Sequence, residues 1–360
     1  MIYVLLALVF LAALFNWYFI SHGLEELTYE MRIPKDAVEI GEALEIQTVI
    51  ENRKRLPVPY VELHEMFPSG FTGDPHRFSL NLHGNERVIR THTLRAEGRG
   101  CFTIRETKIK LGDFLGFSRR HLVIRFQKDL IVFPEAAQLS KALVPLGRTN
   151  GDLSVRRWIL EDPLMIQGVR DYTGREAIKQ IHWPISLRQG RLMVRHNEPT
   201  TDLSCLLLIN NETSAPTGES PQGELIEETL RLARAVLEDL EEARIPYGLK
   251  TNAYNYKDYR AHGYHLPSGL GPAHANAAKT ILGRMDYKVD SRFHYHLEDV
   301  CRGLLNYSTI LILTPVMLDP YYEAVNRLLK QGLRVILICV EPPDATRISP
   351  RVKLYGGSRS

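Results

Sequence analysis

Leu203-Ser204-Cys205-Leu206-Leu207-Leu208-Ile209 is an apolar run of buried-strand length, and the polar stretch Asn210-Asn211-Glu212-Thr213-Ser214 follows it directly. Such a run lacks the polar alternation of a half-exposed strand and argues for cover on both faces. Downstream, Ser220-Pro221 offers an N-cap and a first-turn proline. Ile226, Leu230, Ala233, Leu237 and Leu240 then recur at helical spacing, with Glu227/Arg231 as an i,i+4 pair on the outer face. Ile245–Lys250, Thr309–Leu313 and Leu333–Val340 read as further strands, and Tyr322–Lys330 as a helix between the last two. Strands alternating with helices predict a parallel α/β domain over 201–342, followed by a tail at 343–360. Ligands are expected at the carboxyl ends of its strands.

Upstream the period changes to two. Leu27, Tyr29, Met31 and Ile33 alternate with Thr28, Glu30 and Arg32. Similar runs follow at Leu44–Ile50, Val61–Met66, Phe78–Leu82, Val88–Leu94, Phe102–Leu111 and Leu122–Phe126, separated by Pro and Gly. Short strands punctuated by turn signals predict a β-sandwich-like domain over 26–135, with 136–200 as a connecting segment.

Residues 1–20 contain no Asp, Glu, Lys or Arg. About 20 apolar residues suffice to cross a bilayer, so 1–21 is expected to be a transmembrane anchor contacting lipid through 1–20. Arg32 and Lys35 follow the segment, which places the later domains on the cytoplasmic side of a cell membrane.

The 360 residues are 44% hydrophobic and 24% charged, a globular composition. A formal charge of +3 is too small to make bulk charge an argument for nucleic acid. Cys101, Cys205, Cys301 and Cys339 form no CxxC pair, so neither a zinc ribbon nor a disulfide framework is indicated.

The densest chemistry lies between the domains, at Gly168–Glu198. Arg170, Arg175, Lys179, Arg188, Arg191 and Arg195 are interleaved there with Asp171, Tyr172, Glu176, His182, Trp183 and Glu198. A phosphate-binding, base-stacking surface is one reading of this cluster. The favoured one is a structural clamp, in which arginines pair with carboxylates and stack on Trp183.

The run Arg170-Asp171-Tyr172, Ile181-His182-Trp183, Ser186, Arg188, Gly190, Leu192, Val194-Arg195 and Glu198 resembles the signature of the bacterial domain of unknown function 58 family. Gly112-Asp113-Phe114-Leu115-Gly116-Phe117 before Val132-Phe133-Pro134 is similar to another of its turns. The family's Gly-Asp falls on Arg175-Glu176 and its next arginine on Lys179, so charge signs persist better than turn geometry. The resemblance implies a membrane-anchored protein with a sandwich-like region and a von Willebrand factor A-like (Rossmann-like) domain. It further implies partnership with a MoxR-type AAA ATPase and other membrane proteins.

Domains of that type hold Mg²⁺ through carboxylate and hydroxyl oxygens. Here the first strand runs into Asn210, with Glu212 and Ser214 beyond it, and Thr314 stands where the resemblance places an aspartate. The site reads as degenerate, with no metal and no cofactor. His262/His265 and His294/His296 near Glu298 lack the rest of a zinc motif. Ser186/His182/Asp171 lacks a nucleophile elbow, and no P-loop is present. The expected function is a membrane-anchored, non-enzymatic adaptor for assembly or remodelling of envelope complexes, with no nucleic acid bound. The alternative is a hydrolase or metal-dependent enzyme built on His182, Glu176 and the arginines.

Overall fold

The computed structural model describes residues 2–21, 25–112, 119–139, 143–146, 168–173, 181, 183–196, 204–214, 221–256, 263–303, 305 and 307–357. The chain divides into two compact units, Met1–Glu135 and Ala136–Ser360.

The first unit carries a helix at Ile2–Ser21 and two facing sheets. Leu27–Arg32, Ala43–Asn52, Arg87–Ala96 and Phe71–Gly73 form one, in that spatial order. Ala37–Glu39, Arg119–Phe133, Gly100–Gly112, Val58–Glu65 and Arg77–Leu82 form the other. All pairings are antiparallel except that of Ala37–Glu39 with Arg119–Phe133. Alternation drives the assembly: Leu44, Ile46 and Ile50 are buried, while Ala43, Glu45 and Gln47 are exposed. Leu63, Ile109 and Leu111 meet Ile50 from the opposite sheet in one apolar cluster.

One polar group is enclosed between the sheets. Glu65 is fully buried; its Oε1 accepts from the Tyr29 hydroxyl at 3.0 Å and from Thr48. Tyr29 also contacts Thr107 Oγ1 at 3.0 Å. His92 Nε2 lies 3.2 Å from Glu65 Oε2, without hydrogen-bond geometry. Burial pushes the His92 pKa down, against the pull of Glu65.

The second unit is built on a seven-stranded sheet. Its spatial order is Leu143–Leu146, Lys353–Gly357, Arg334–Cys339, Thr309–Thr314, Cys205–Ile209, Tyr247–Thr251, Tyr264–Gly269. The Cys205–Ile209 strand is buried throughout, and its side chains divide strictly by face. Cys205, Leu207 and Ile209 enter a core shared with Gly223–Glu242 and Pro272–Arg284. Leu206 and Leu208 enter a second core shared with Phe293–Cys301 and Asp319–Lys330. The apolar run is therefore an interior strand of the middle of three layers, with helices on either side.

Several expectations are overturned. Among the described residues no helix is long and apolar enough to cross a membrane. The transmembrane anchor, the lipid contact of 1–20 and the single-pass membrane localisation are corrected accordingly. The expected parallel, von Willebrand factor A-like domain is corrected too, because the sheet is mixed. Leu143–Leu146 pairs antiparallel with Lys353–Gly357, and Tyr264–Gly269 antiparallel with Tyr247–Thr251. Strands dominate the described chain, twenty of them against six α-helices. Lys353–Gly357 also lies in the stretch read as a tail, yet it pairs with Arg334–Cys339.

Glu65→Ala removes the acceptor shared by Tyr29 and Thr48, strands the Thr48 hydroxyl between the sheets and leaves Tyr29 with Thr107 alone. A loss of about 1–3 kcal/mol is expected, seen as a lower urea midpoint at unchanged slope for the sandwich transition.

Candidate functional site

Three adjacent strands end at the same level, and a polar side chain stands at each end. Ile209 registers with Thr251 on one side and Leu313 on the other. That sets Asn210, Asn252 and Thr314 in a row at the carboxyl edge, each 0% exposed. Asn210 Nδ2 donates to Thr314 Oγ1 at 2.8 Å and to the Glu212 carbonyl at 3.3 Å. Its Oδ1 accepts from the Glu212 N–H at 2.8 Å and from Asn252 Nδ2 at 2.9 Å. Thr314 in turn donates to the Val316 carbonyl at 2.6 Å. All four hydrogen-bonding positions of the Asn210 amide are thus used within the protein.

Glu212 is turned away from this row. Its Oε2 accepts from the Phe293 N–H at 3.1 Å, at the start of Phe293–Cys301, and from the Tyr321 hydroxyl. A carboxylate there meets an orphan helix donor and the positive end of the helix dipole. Burial, and then Glu212, push the Tyr321 pKa far up, so its hydroxyl stays a proton donor. Among the described residues Ser214 makes no hydrogen bond to the row. Asn210, Asn252 and Thr314 therefore satisfy one another, while next to them Asn211 Oδ1 is buried with no hydrogen-bond partner among the described residues. Among the described residues no group of three or more His, Cys, Asp or Glu side chains is arranged to hold a metal. His265 and the His294/His296 pair are described, and His262 lies outside the described residues.

Asn252, Phe293 and Tyr321 were not foreseen as partners. The usable signal was positional: Asn252 directly follows a strand, and Asp319-Pro320 opens a helix that brings Tyr321 to its first turn.

The cassette has a different geometry. Gly168–Asp171 pairs antiparallel with Met193–His196, and this hairpin carries Arg170 and Arg195 on its strands. Between them runs the short helix Trp183–Gln189. Ser186 pins that helix: its hydroxyl accepts from the Met193 N–H at 2.8 Å and faces the Met193 carbonyl at 3.3 Å. Ser186 is 6% exposed, whereas Trp183 is 53% and Leu187 81% exposed. Leu192 is exposed as well, and exposed Arg188 has no ion-pair partner among the described residues. Tyr172 is half-buried, its N–H donating to the Leu192 carbonyl at 2.8 Å. Glu176, Lys179, His182 and Glu198 lie outside the described residues.

The clamp reading fails at Trp183 and Arg188, which face solvent. The described ion pair is Arg191–Asp171 at 3.0 Å, with side chains 61% and 60% exposed, a class of pair worth ~0–1 kcal/mol. The Ser186/Asp171 half of a triad fails too, since the Ser186 hydroxyl is committed to Met193 and Asp171 to Arg191.

Two outcomes follow from the network. Asn210→Asp exchanges two donors for an anion facing the Glu212 carbonyl, and a loss of about 1–3 kcal/mol in thermal or urea unfolding is expected. The second is a pH profile. His296 Nε2 contacts Ser291 Oγ at 2.8 Å, and burial, then Lys250, lower its pKa to about 4. A folded pKa below the unfolded ~6.5 means the unfolded state takes up the proton first. Stability is then full above pH 6.5 and falls as pH drops towards 4, by on the order of 2–3 kcal/mol from this group. His296→Gln is expected to flatten the melting-temperature profile across that window, leaving the smaller slope contributed by His92.

No protein-family model matches this chain, and no curated protein does. Among solved structures it is similar to the CARDB domain of the PF1109 protein from Pyrococcus furiosus, solved with di-metal ions. That match has 17% identity over 29% of this chain and 91% of that one, at a TM-score of 0.22. A FixG-related protein from Vibrio parahaemolyticus matches at 10% identity, over 29% and 98% of the two chains, with a TM-score of 0.20. The GAE domain of GGA2p from Saccharomyces cerevisiae matches at 12% identity, over 28% and 88%, with a TM-score of 0.22. Likenesses this faint cover under a third of the chain and bear on neither its activity nor its partners.

Proposed function

We propose that this chain is a non-enzymatic interaction protein, an adaptor that docks a protein partner on the Trp183–Gln189 helix. One observation carries the reading: the helix is inverted. A surface helix ordinarily turns its apolar residues inward; here Ser186 is the buried residue while Trp183 and Leu187 face solvent. Exposed Trp beside an unpaired Arg is the composition of interface hot spots. Hydrogen bonding to Met193 holds the helix in place without spending those side chains on the core. The resemblance to the domain of unknown function 58 family supports a MoxR-type AAA ATPase as the partner, in assembly or remodelling of protein complexes. Arg188 suits a carboxylate on that partner's rim.

Purified full-length chain and a MoxR-type ATPase, measured by calorimetry, test this. Trp183→Ala and Leu187→Ser are expected to weaken binding about tenfold or more while leaving the melting temperature unchanged. Absence of binding by the wild type would dismiss this partner. A lowered melting point in both variants would return the helix to a structural role.

A further inference from the structure

The outward face of the five-stranded sheet is charged in two layers. Val61, Leu63, Ile109 and Leu111 point into the core, so Glu62, Lys108 and Lys110 on the same strands turn outward. Register sets Lys110 beside Glu62, Lys108 and Arg77 on either side of His64, Arg125 opposite Glu106, and Arg119 opposite Gly112. Up to the bulge between Ile104 and Glu106, two carboxylates stand against five cations.

The carboxylates lie underneath. Glu62 is only 10% exposed and accepts from Arg77, which is 62% exposed, with Lys110 at 3.6 Å. The Tyr60 hydroxyl also donates to Glu62, at 3.1 Å. Lys108 lies 3.6 Å from Glu106. Arg119 and Arg125 are exposed and carry no ion pair among the described residues. The outward face of the four-stranded sheet differs: there Glu30, Glu45 and Glu51 balance Arg32, Arg87 and Arg95.

We propose that the five-stranded face binds an acidic protein segment in extended conformation. Lys108 and Lys110 stand about 7 Å apart along their strand, the spacing of alternate carboxylates on an extended chain. Electrostatic complementarity of this kind steers encounter and fixes register. The observations favour protein over nucleic acid: Tyr60 is the one large aromatic exposed on this face among the described residues, so successive bases lack a stacking platform. This surface lies in the other unit and does not depend on the Trp183 reading.

Fluorescence anisotropy of a labelled oligoglutamate peptide with the full chain tests it at low and physiological salt. Salt-sensitive binding is expected. Arg119→Glu/Arg125→Glu should weaken it roughly fivefold to thirtyfold, with the melting temperature confirming an intact fold. Arg87→Glu/Arg95→Glu on the balanced face, and Trp183→Ala, should leave the Kd within about twofold. No binding at low salt, or equal loss in both double variants, would overturn the proposal. Displacement of the peptide by oligothymidylate at lower concentration would also overturn it, and would assign the face to nucleic acid.

Discussion

Where parallel strands end, side chains and backbone groups face a crevice that a ligand or the protein itself must satisfy. The hydrogen bonds of Asn210 meet this constraint from within. A carboxylate at 210 would offer acceptors alone to the Glu212 carbonyl and to a Thr314 hydroxyl whose proton is held by Val316. A cation would then be required between them. The amide supplies two donors and two acceptors, and the crevice closes without one. Glu212, released from that row, is free to serve Phe293 and Tyr321. The starts of Phe293–Cys301 and Asp319–Lys330 are thereby tied to the end of the Cys205–Ile209 strand on one face of the sheet.

Much of the strand pattern was legible because burial imposes periods. Residues 43–47 alternate in a half-buried strand; 205–209 do not alternate and form a fully covered one. Two kinds of element escaped. The short strands Ala37–Glu39 and Phe71–Gly73 are too brief to show a period. Tyr254–Gly271, rich in Tyr and Gly, reads as a polar loop, yet Tyr264–Gly269 within it pairs with Tyr247–Thr251 at the sheet margin. An edge strand is held by backbone hydrogen bonds on one side, which leave little trace in composition. The polar residues Asn210 and Thr314 were visible in sequence, but not their surroundings, because Asn252 and Tyr321 come from distant segments.

The cassette shows how composition misleads about burial. Six cations, two aromatics and three carboxylates in thirty-odd residues suggest internal pairing. Yet the side chain that secures the helix is the small Ser186, through two contacts to one backbone residue. Local attachment of that kind leaves Trp183, Leu187 and Arg188 unneeded for folding. Exposed apolar side chains grouped beside a cation are the kind of surface patch that association with another molecule would cover.

The sheet margins narrow where that contact is made. An exposed edge strand is the simplest way to join another chain, since its free N–H and C=O groups template a new strand. Both margins of the seven-stranded sheet contain proline: Pro145 in Leu143–Leu146 and Pro267 in Tyr264–Gly269. Proline lacks the N–H that an added strand would need, and its ring occupies the approach. Strand addition is thus disfavoured at either end of this unit. Association through it has to use side chains on a face, and the Trp183–Gln189 helix presents its two largest apolar ones outward.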